Sequence, residues 1–350
     1  MRLEPRAEVP LALAIGAPVA AAALALLLSA LPLLWAGAPV LAAWGRLLEG
    51  ALGSTFALTE TLSRATPLIL TGLACALAFR AKLWNIGAEG QLYAGALAAV
   101  TVGSGAVGLF GGFALLPATM LAGALAGALL LLVPALLKVR LGVDEVVTTL
   151  LLNFVVLLFV QMMLEGPLQD PMGMGWPQSP PVVADAELPK LVARTRLHAG
   201  LLIALALAML AWLYTRRTVW GFEARAVGAN VEAARYAGMP VTTVLVRTAL
   251  LSGALAGIAG ASEVAGLRGY LTQDLSPGFG YAGIVVAMLA QLNPLACVPA
   301  ALFVAGVFVG ADSMSRALGV SSYLANLIVA TALLTMLLAS LVSRYRLRRG

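Results

Sequence analysis

The stretch FRAKLWNIGAEGQ, from Phe79 to Gln91, is a polar interruption in a sequence that is otherwise strongly apolar. It contains two cations, an Asn, a Glu and a Gln, and runs of Ala, Leu, Val and Gly flank it on both sides. Of the 350 residues, 61% are hydrophobic and only 11% are charged, whereas a soluble domain carries about 25% charged residues. This composition, with charge-free runs such as 9–35 that are long enough to cross a bilayer, predicts an integral membrane protein.

The apolar runs predict an all-α polytopic membrane protein, a bundle of about ten transmembrane helices with eight as the lower bound. The first run is too long for the apolar core of a signal peptide, so we expect it to be a retained span. The third and eighth runs are short and rich in Gly or polar residues, which predicts broken or re-entrant segments. The predicted spans are residues 11–35, 54–79, 86–103, 112–137, 144–164, 198–214, 242–266, 281–292, 295–311 and 322–343.

The distribution of Lys and Arg predicts that both termini are cytoplasmic, because inner segments of membrane proteins carry an excess of cations. With the N-terminus inside, the inner segments hold Arg2, Arg6, Arg80, Lys82, Lys138, Arg140, Arg216, Arg217, Arg225, Arg235, Arg344, Arg346, Arg348 and Arg349. The outer segments hold Arg46, Lys190, Arg194, Arg196, Arg268 and Arg316. We therefore expect one transmembrane domain over 1–350, with an external loop at 165–197 and a cytoplasmic loop at 215–240. This topology also explains the net charge of +6 without nucleic acid.

The sequence offers no metal, cofactor or catalytic site. Cys75 and Cys297 lie in apolar stretches without a CxxC spacing, and the single histidine, His198, begins an apolar span where an interfacial side chain is expected. The motifs GxSxG and HExxH are absent, which leaves an intramembrane enzyme without support. No phosphate-binding loop of the form GxxxxGK[ST] occurs, so this chain cannot hydrolyse ATP by itself.

Two interpretations of the polar stretch stay open from the residues alone. Asn85 can be the N-cap of a helix with Glu89 in its first turns, where the helix dipole favours a carboxylate. Alternatively, Glu89 and Gln91 lie below the membrane interface, where ionisable groups usually face a cavity or a transport pathway. In the loop 215–240, small residues at helical spacing favour a short helix that seats in the groove of a partner protein.

Three motifs, taken together and in order, resemble the permeases of ABC importers. LWNIGAEGQLYAGALAA, GVDEVVTTLLLNF and FEARAVGANVEAARYAG are similar to the family that imports simple sugars and nucleosides. EAARYAG resembles the element by which such permeases engage their ATPases, and the fuller form of NIGAEGQ is similar to the nucleoside-uptake branch. The resemblance covers about 60–343 and implies a type II-like ABC importer permease that works by alternating access in the bacterial plasma membrane, in contact with membrane lipid.

The resemblance also implies site residues and partners. It assigns Asn85, Glu89, Gln91 and Asn153 to the translocation pathway, and we add Glu263, an acidic residue within a predicted span. The residues that match the ATPase-coupling element are Arg225, Gly228, Asn230, Glu232, Ala233, Ala234 and Gly238. The implied partners are an ABC ATPase subunit, a second permease subunit that forms a heterodimer as a paralogue, and an external substrate-binding lipoprotein.

Alternatives remain at two levels. Within the importer class, simple sugars or branched-chain amino acids are possible substrates besides nucleosides. In a different class, a secondary transporter would be driven by protons through Glu89 or Glu263. That reading leaves the coupling-like loop without an explanation.

Overall fold

The fold follows from long apolar helices separated by short polar turns, as seen in a computed structural model that describes residues 2–5, 11–105, 108 and 111–348. The helices are α1 (Leu11–Trp35), α2 (Val40–Leu52), α3 (Thr55–Arg80), α4 (Ala88–Gly103), α5 (Leu115–Leu141), α6 (Glu145–Leu164), α7 (Gly200–Arg217), α8 (Val219–Ala229), α9 (Val231–Tyr236), α10 (Val241–Glu263), α11 (Phe279–Leu289), α12 (Cys297–Leu318) and α13 (Ser322–Arg344). A π-helical turn, Val264–Arg268, continues α10. Two short strands, β1 (Arg2–Pro5) and β2 (Tyr345–Arg348), pair with each other in antiparallel fashion near the two ends of the chain.

Each of the ten predicted spans coincides with a helix, so the all-α polytopic class is confirmed. By length and composition alone, seven helices among the described residues could cross a membrane. Two further apolar helices, Ala20–Trp35 and Phe279–Leu289, are shorter. The eighth predicted span is α11, with only 11 residues, and the third is α4, with 16. Both runs therefore form short, continuous helices, and the prediction that they are re-entrant stays a prediction.

Residues 62–301 form one compact unit, built around α4, α5 and α10. Glycines let these helices touch backbone to backbone. A Cβ placed on Gly257 of α10 would lie 2.1 Å from the carbonyl oxygen of Gly123 on α5, and one on Gly95 of α4 would lie 2.3 Å from the carbonyl oxygen of Gly257. Small residues at such positions allow close helix packing in lipid.

Residues 1–61 and 302–350 form the other unit, in which α1 packs along α13. A glycine also allows close backbone contact between α2 and α12, because a Cβ on Gly310 would lie 2.4 Å from the Leu47 carbonyl oxygen. Helix α2 was not among the predicted spans. Its sequence carries Arg46 and Glu49, which form an exposed salt bridge of 2.8 Å.

The long segment 165–197 contains a single 3₁₀ turn, Ala184–Ala186, and lies against the ends of α4 and α10. The Val183 amide donates to the Gly103 carbonyl at 2.9 Å, and the Leu188 amide donates to the Ala265 carbonyl at 2.8 Å. Backbone hydrogen bonds of this kind order a segment that has little regular secondary structure.

Candidate functional site

Helix α6 supplies hydrogen-bond partners to backbone amides in the turn between α3 and α4 and in the first turn of α4. The Trp84 amide donates to the Glu145 carboxylate at 3.1 Å, the Ile86 amide to the Thr149 hydroxyl at 3.2 Å, and the Gly90 amide to the Asn153 side-chain oxygen at 2.8 Å. Glu145, Thr149 and Asn153 are spaced by four residues and therefore share one face of α6. The polar face of α6 thus satisfies amides that would otherwise be left unpaired in the protein interior.

Asn85 and Gln91 form the centre of the cluster, and both are completely buried. Their side-chain amides exchange two hydrogen bonds, of 2.9 and 2.8 Å, and Asn85 also donates to the Ser252 hydroxyl at 3.0 Å. The predicted N-cap role of Asn85 is wrong, because the N-cap of α4 is Gly87. Asn85 lies two residues earlier, where its side-chain oxygen accepts from the Gly87 amide at 3.0 Å and closes a local turn.

Glu89 lies in the first turn of α4 and is 3% exposed. One carboxylate oxygen accepts a hydrogen bond from the Gly280 amide at 2.6 Å, and the Ser276 side chain provides a second hydrogen bond. Gly280 belongs to the first turn of α11, and a Cβ there would lie 2.2 Å from the Glu89 amide nitrogen. The N-terminal ends of α4 and α11 therefore meet, and one carboxylate lies at the positive ends of both helix dipoles.

The five predicted pathway residues are all buried, and the structure brings four of them together. Asn85, Glu89, Gln91 and Asn153 surround the start of α4, whereas Glu263 lies at the far end of α10. It is eleven residues beyond Ser252, or about 16 Å along the helix axis. Asn153 also donates to the hydroxyl of Tyr281 at 3.1 Å, and Tyr281 is 38% exposed. The sequence did not single out Ser252 or Tyr281, since neither lies near the polar stretch along the chain.

The predicted coupling residues fall on α8 and α9. Asn230 ends α8 and caps α9, since its side chain accepts from the Ala233 amide at 3.0 Å. Glu232 and Arg235 form an exposed salt bridge of 2.9 Å. Ala233 is exposed, but Ala234 is buried against its own chain. A large side chain at 234 would therefore disturb the packing of α9 on its own chain.

Two further coupling positions have backbone roles. Gly238 has φ +78, in the left-handed region that favours glycine, so a larger side chain there would strain the turn. Gly228 of α8 packs directly on the last residue of α3, because a Cβ at 228 would lie 1.9 Å from the Arg80 carbonyl oxygen. The neighbouring Lys82 ammonium donates to the Ala229 carbonyl at 3.4 Å. Helix α8 of the coupling segment is therefore in direct contact with the stretch Phe79–Gln91.

A polytopic helical bundle with a buried polar cluster and an exposed short helix is consistent with a membrane permease. Residues 57–340 match the family described as branched-chain amino acid transport system / permease component, and the chain belongs to that family. This membership identifies a multi-pass permease component of a transport system, and it rules out the secondary-transporter alternative.

Several characterised permeases are similar to this chain. The glucose ABC transporter permease TsgB13 of Haloferax volcanii is 39% identical over the whole chain and 95% of that protein. The guanosine ABC transporter permease NupP of Bacillus subtilis is 35% identical over 91% of each chain. The nucleoside ABC transporter permease NupB of Lactococcus lactis is 32% identical over 78% of each chain. A second guanosine permease of Bacillus subtilis, NupQ, is 27% identical over 69% of this chain and 77% of that protein.

Proposed function

We propose that this chain is one of two permease subunits of an ABC importer for nucleosides, and that a separate ATPase subunit drives alternating access. It would act as a single transmembrane domain in the plasma membrane, with both termini in the cytoplasm. A substrate-binding lipoprotein would deliver the substrate from outside. The contact between Gly228 of α8 and the Arg80 carbonyl supports the coupling part of this proposal, because it joins the coupling segment to the stretch Phe79–Gln91, which leads into the buried polar cluster.

The choice of nucleosides rests on relatives named for guanosine and nucleoside transport, which include NupP and NupB. The form of the NIGAEGQ motif, typical of the nucleoside branch, supports the same choice. Simple sugars are the second candidate, because a glucose permease is 39% identical over the whole chain. Both substrate classes carry several ring hydroxyls, which amide and hydroxyl side chains can bind.

The pairing with a paralogue is supported by the relatives from Bacillus subtilis. NupP and NupQ are both named as guanosine permeases, and they match this chain to different degrees. This chain would take the position of NupP, and a more distant paralogue would supply the second half of the pathway.

In this proposal, the cluster of Asn85, Glu89, Gln91 and Asn153 supports the wall of the pathway from behind. Tyr281 would form the accessible side of that wall, because it is exposed and its hydroxyl is fixed by Asn153. Glu263 would mark a separate polar position further along the path.

The substrate is tested by uptake in cells that lack only this chain and in cells that carry it again. We expect uptake of labelled guanosine and adenosine to be lost in cells that lack the chain and restored in cells that carry it again. Uptake of labelled glucose and leucine should be the same in both. Restoration of glucose uptake alone would replace nucleosides by sugars as the substrate class.

The coupling role is tested with Ala233→Trp on the exposed side of α9, compared with Ala317→Trp at an exposed position of α12. Neither change alters a buried contact, so both proteins should fold. We expect the ATPase to co-purify with the Ala317 variant at the wild-type level and to be lost from the Ala233 variant. Equal co-purification and equal uptake for both variants would contradict the docking role of α8 and α9.

A further inference from the structure

Both ends of α11 are held by charged side chains from the stretch Phe79–Gln91. At the N-terminal end, the Gly280 amide donates to the Glu89 carboxylate at 2.6 Å. Beyond the C-terminal end, the Leu292 carbonyl accepts a hydrogen bond from the Arg80 guanidinium. A helix has a partial positive charge at its N-terminus and a partial negative charge at its C-terminus, so an anion and a cation occupy the two favourable positions.

Between these ends, α11 lies directly on α3. The Thr71 hydroxyl donates to the Phe279 carbonyl at 3.0 Å, and a Cβ on Gly283 would lie 2.6 Å from the same hydroxyl oxygen. A Cβ on Gly72 would lie 2.5 Å from the Val286 side chain. Because the packing leaves no gap, α11 must follow any movement of α3 or lose this contact.

The turn that follows α11 is strained. Gln291 and Leu292 have φ values of +54 and +57, and two successive non-glycine residues in the left-handed region are disfavoured. Such conformations persist when surrounding contacts hold them. The hydrogen bond from Arg80 to the Leu292 carbonyl is one contact of this kind, beside backbone hydrogen bonds from Gln291 and Leu292 to the end of α11, so its loss would weaken the hold on the turn.

Arg80 also contacts the coupling segment, through a different group. Its carbonyl oxygen forms the surface on which Gly228 of α8 packs. Its charged neighbours are two further cations, Arg216 and Arg225. One residue therefore contacts α8 with its backbone and the turn that follows α11 with its side chain.

We propose that Arg80 is a positioning residue that transmits movement of α8 and α9 to α11. When the ATPase shifts α8, the Arg80 backbone moves with Gly228, and the guanidinium leaves the Leu292 carbonyl. The C-terminal end of α11 is then released, while Glu89 keeps the N-terminal end in place as a pivot. This proposal rests on the proposed docking role of α8 and α9.

The test uses the assembled importer, with Arg80→Gln compared with Arg217→Gln, an exposed arginine at the end of α7. Two quantities are measured: the amount of ATPase that co-purifies, and the number of nucleoside molecules taken up per ATP hydrolysed. For Arg80→Gln we expect normal co-purification and about a tenfold fall in uptake per ATP, since one charge-assisted hydrogen bond is lost. Arg80→Lys, which keeps the charge, should lie between this variant and the wild type, and Arg217→Gln should match the wild type.

If the Arg80→Gln protein does not fold, the same substitution is tested in a protein that also carries Gln291→Gly. Gln291→Gly removes the left-handed strain at an exposed residue, so it should restore folding without restoring transmission. The double variant is then compared with Gln291→Gly alone, and we expect the same fall in uptake per ATP.

Two results would overturn the proposal: unchanged uptake per ATP in the Arg80→Gln protein, or loss of the ATPase from it, which would make Arg80 part of the docking surface. Failure of the docking role itself would be seen separately, as normal ATPase binding by the Ala233→Trp variant.

Discussion

Glu89 and Asn85 have different structural roles although they are four residues apart. Asn85 is bound on all sides by uncharged polar groups, including Gln91 and Ser252. Glu89 instead accepts a hydrogen bond from the Gly280 amide, where the N-terminal ends of α4 and α11 meet. At the scale of the residue, the carboxylate therefore acts first as a structural anion that joins α4 to α11.

Two substitutions of Glu89 should distinguish the contribution of its hydrogen bond to stability from the contribution of its charge. Glu89→Gln keeps an acceptor for Gly280 and loses only the interaction of charge with the helix dipoles, which is worth about 0.3–1 kcal/mol at exposed positions and up to about 2 kcal/mol in partly buried ones. Glu89→Ala leaves a buried amide unpaired and should cost about 1–3 kcal/mol. We expect the thermal midpoint of the purified permease to fall more for Ala than for Gln. If Glu89→Gln abolishes uptake while stability is unchanged, the charge itself has a role in transport.

His198 is the residue whose titration should affect stability at acidic pH. It precedes α7, and it is completely buried, with its Nδ1 accepting from the Gly200 amide at 3.1 Å. Burial, with a smaller contribution from the nearby Lys190 ammonium, lowers its pKa from 6.5 to about 4. The unfolded chain therefore takes up a proton as the pH falls through 6.5, while the folded protein stays neutral until the pH approaches 4.

This difference predicts that stability is lost as the pH falls from about 6.5 to about 4, by at most about 3 kcal/mol. His198→Asn keeps an acceptor for Gly200 and removes the titration. The measurement is the thermal midpoint of both proteins between pH 7 and pH 4, in the same detergent. We expect the wild type to lose stability more steeply than the variant, and parallel curves would contradict the assignment.

At the scale of the element, the apolar runs predicted the ten long segments well, because hydropathy and length are local properties of the sequence. The predicted span 144–164 corresponds to helix Glu145–Leu164 in the structure. The predicted span 242–266 corresponds to helix Val241–Glu263 and its π-helical continuation. The missed helix α2 carries charges that interrupt its apolar run. The cap of α4 was misassigned because Asn85 and Gly87 are both acceptable N-caps, and only the tertiary partners of Asn85 decide between them.

The contact between α5 and α10 gives a stability prediction at this scale. A Cβ on Gly257 would lie 2.1 Å from the Gly123 carbonyl oxygen, so Gly257→Ala must separate the helices and should cost about 1–3 kcal/mol. Gly45→Ala is the matched control, because that exposed helical glycine of α2 has open space around its Cβ position. It should be neutral or stabilising by up to about 1 kcal/mol. Thermal midpoints of the two variants check the difference, and a similar change in both would contradict the packing.

At the scale of the whole molecule, the sequence alone could not predict the partners that give the polar stretch its role. Gly280 is 191 residues from Glu89, and Ser252 is 167 residues from Asn85. Contacts over such separations depend on how the helices pack, whereas a single sequence reports mainly local periodicity. The family motifs still marked regions that the structure brings together, because Thr149 and Asn153 lie on the face of α6 that binds this stretch.

The proposed membrane orientation rests on the excess of Lys and Arg in alternate connections, and it leads to a labelling prediction. Cys75 and Cys297 are both buried, so the native protein should react slowly with a membrane-impermeant maleimide. Met172 in the segment 165–197 is 87% exposed and Arg217 at the end of α7 is exposed, so a cysteine at either position is accessible from its own side of the membrane. Met172 is a better reporter than Gln178, whose side chain donates to Asp170 at 3.1 Å.

We expect Met172→Cys to react in intact cells, and Arg217→Cys to react only after the membrane is made permeable. The positive-inside bias predicts that the connection at 215–240 is cytoplasmic, which is the side on which the proposed ATPase would bind α8 and α9. A cysteine at Arg346 should behave like the one at Arg217, because both connections are predicted to be cytoplasmic. The wild-type protein, with its two buried cysteines, measures the background. Reaction of Arg217→Cys in intact cells would reverse the orientation, and α8 and α9 would then be on the wrong side of the membrane to bind an ATPase.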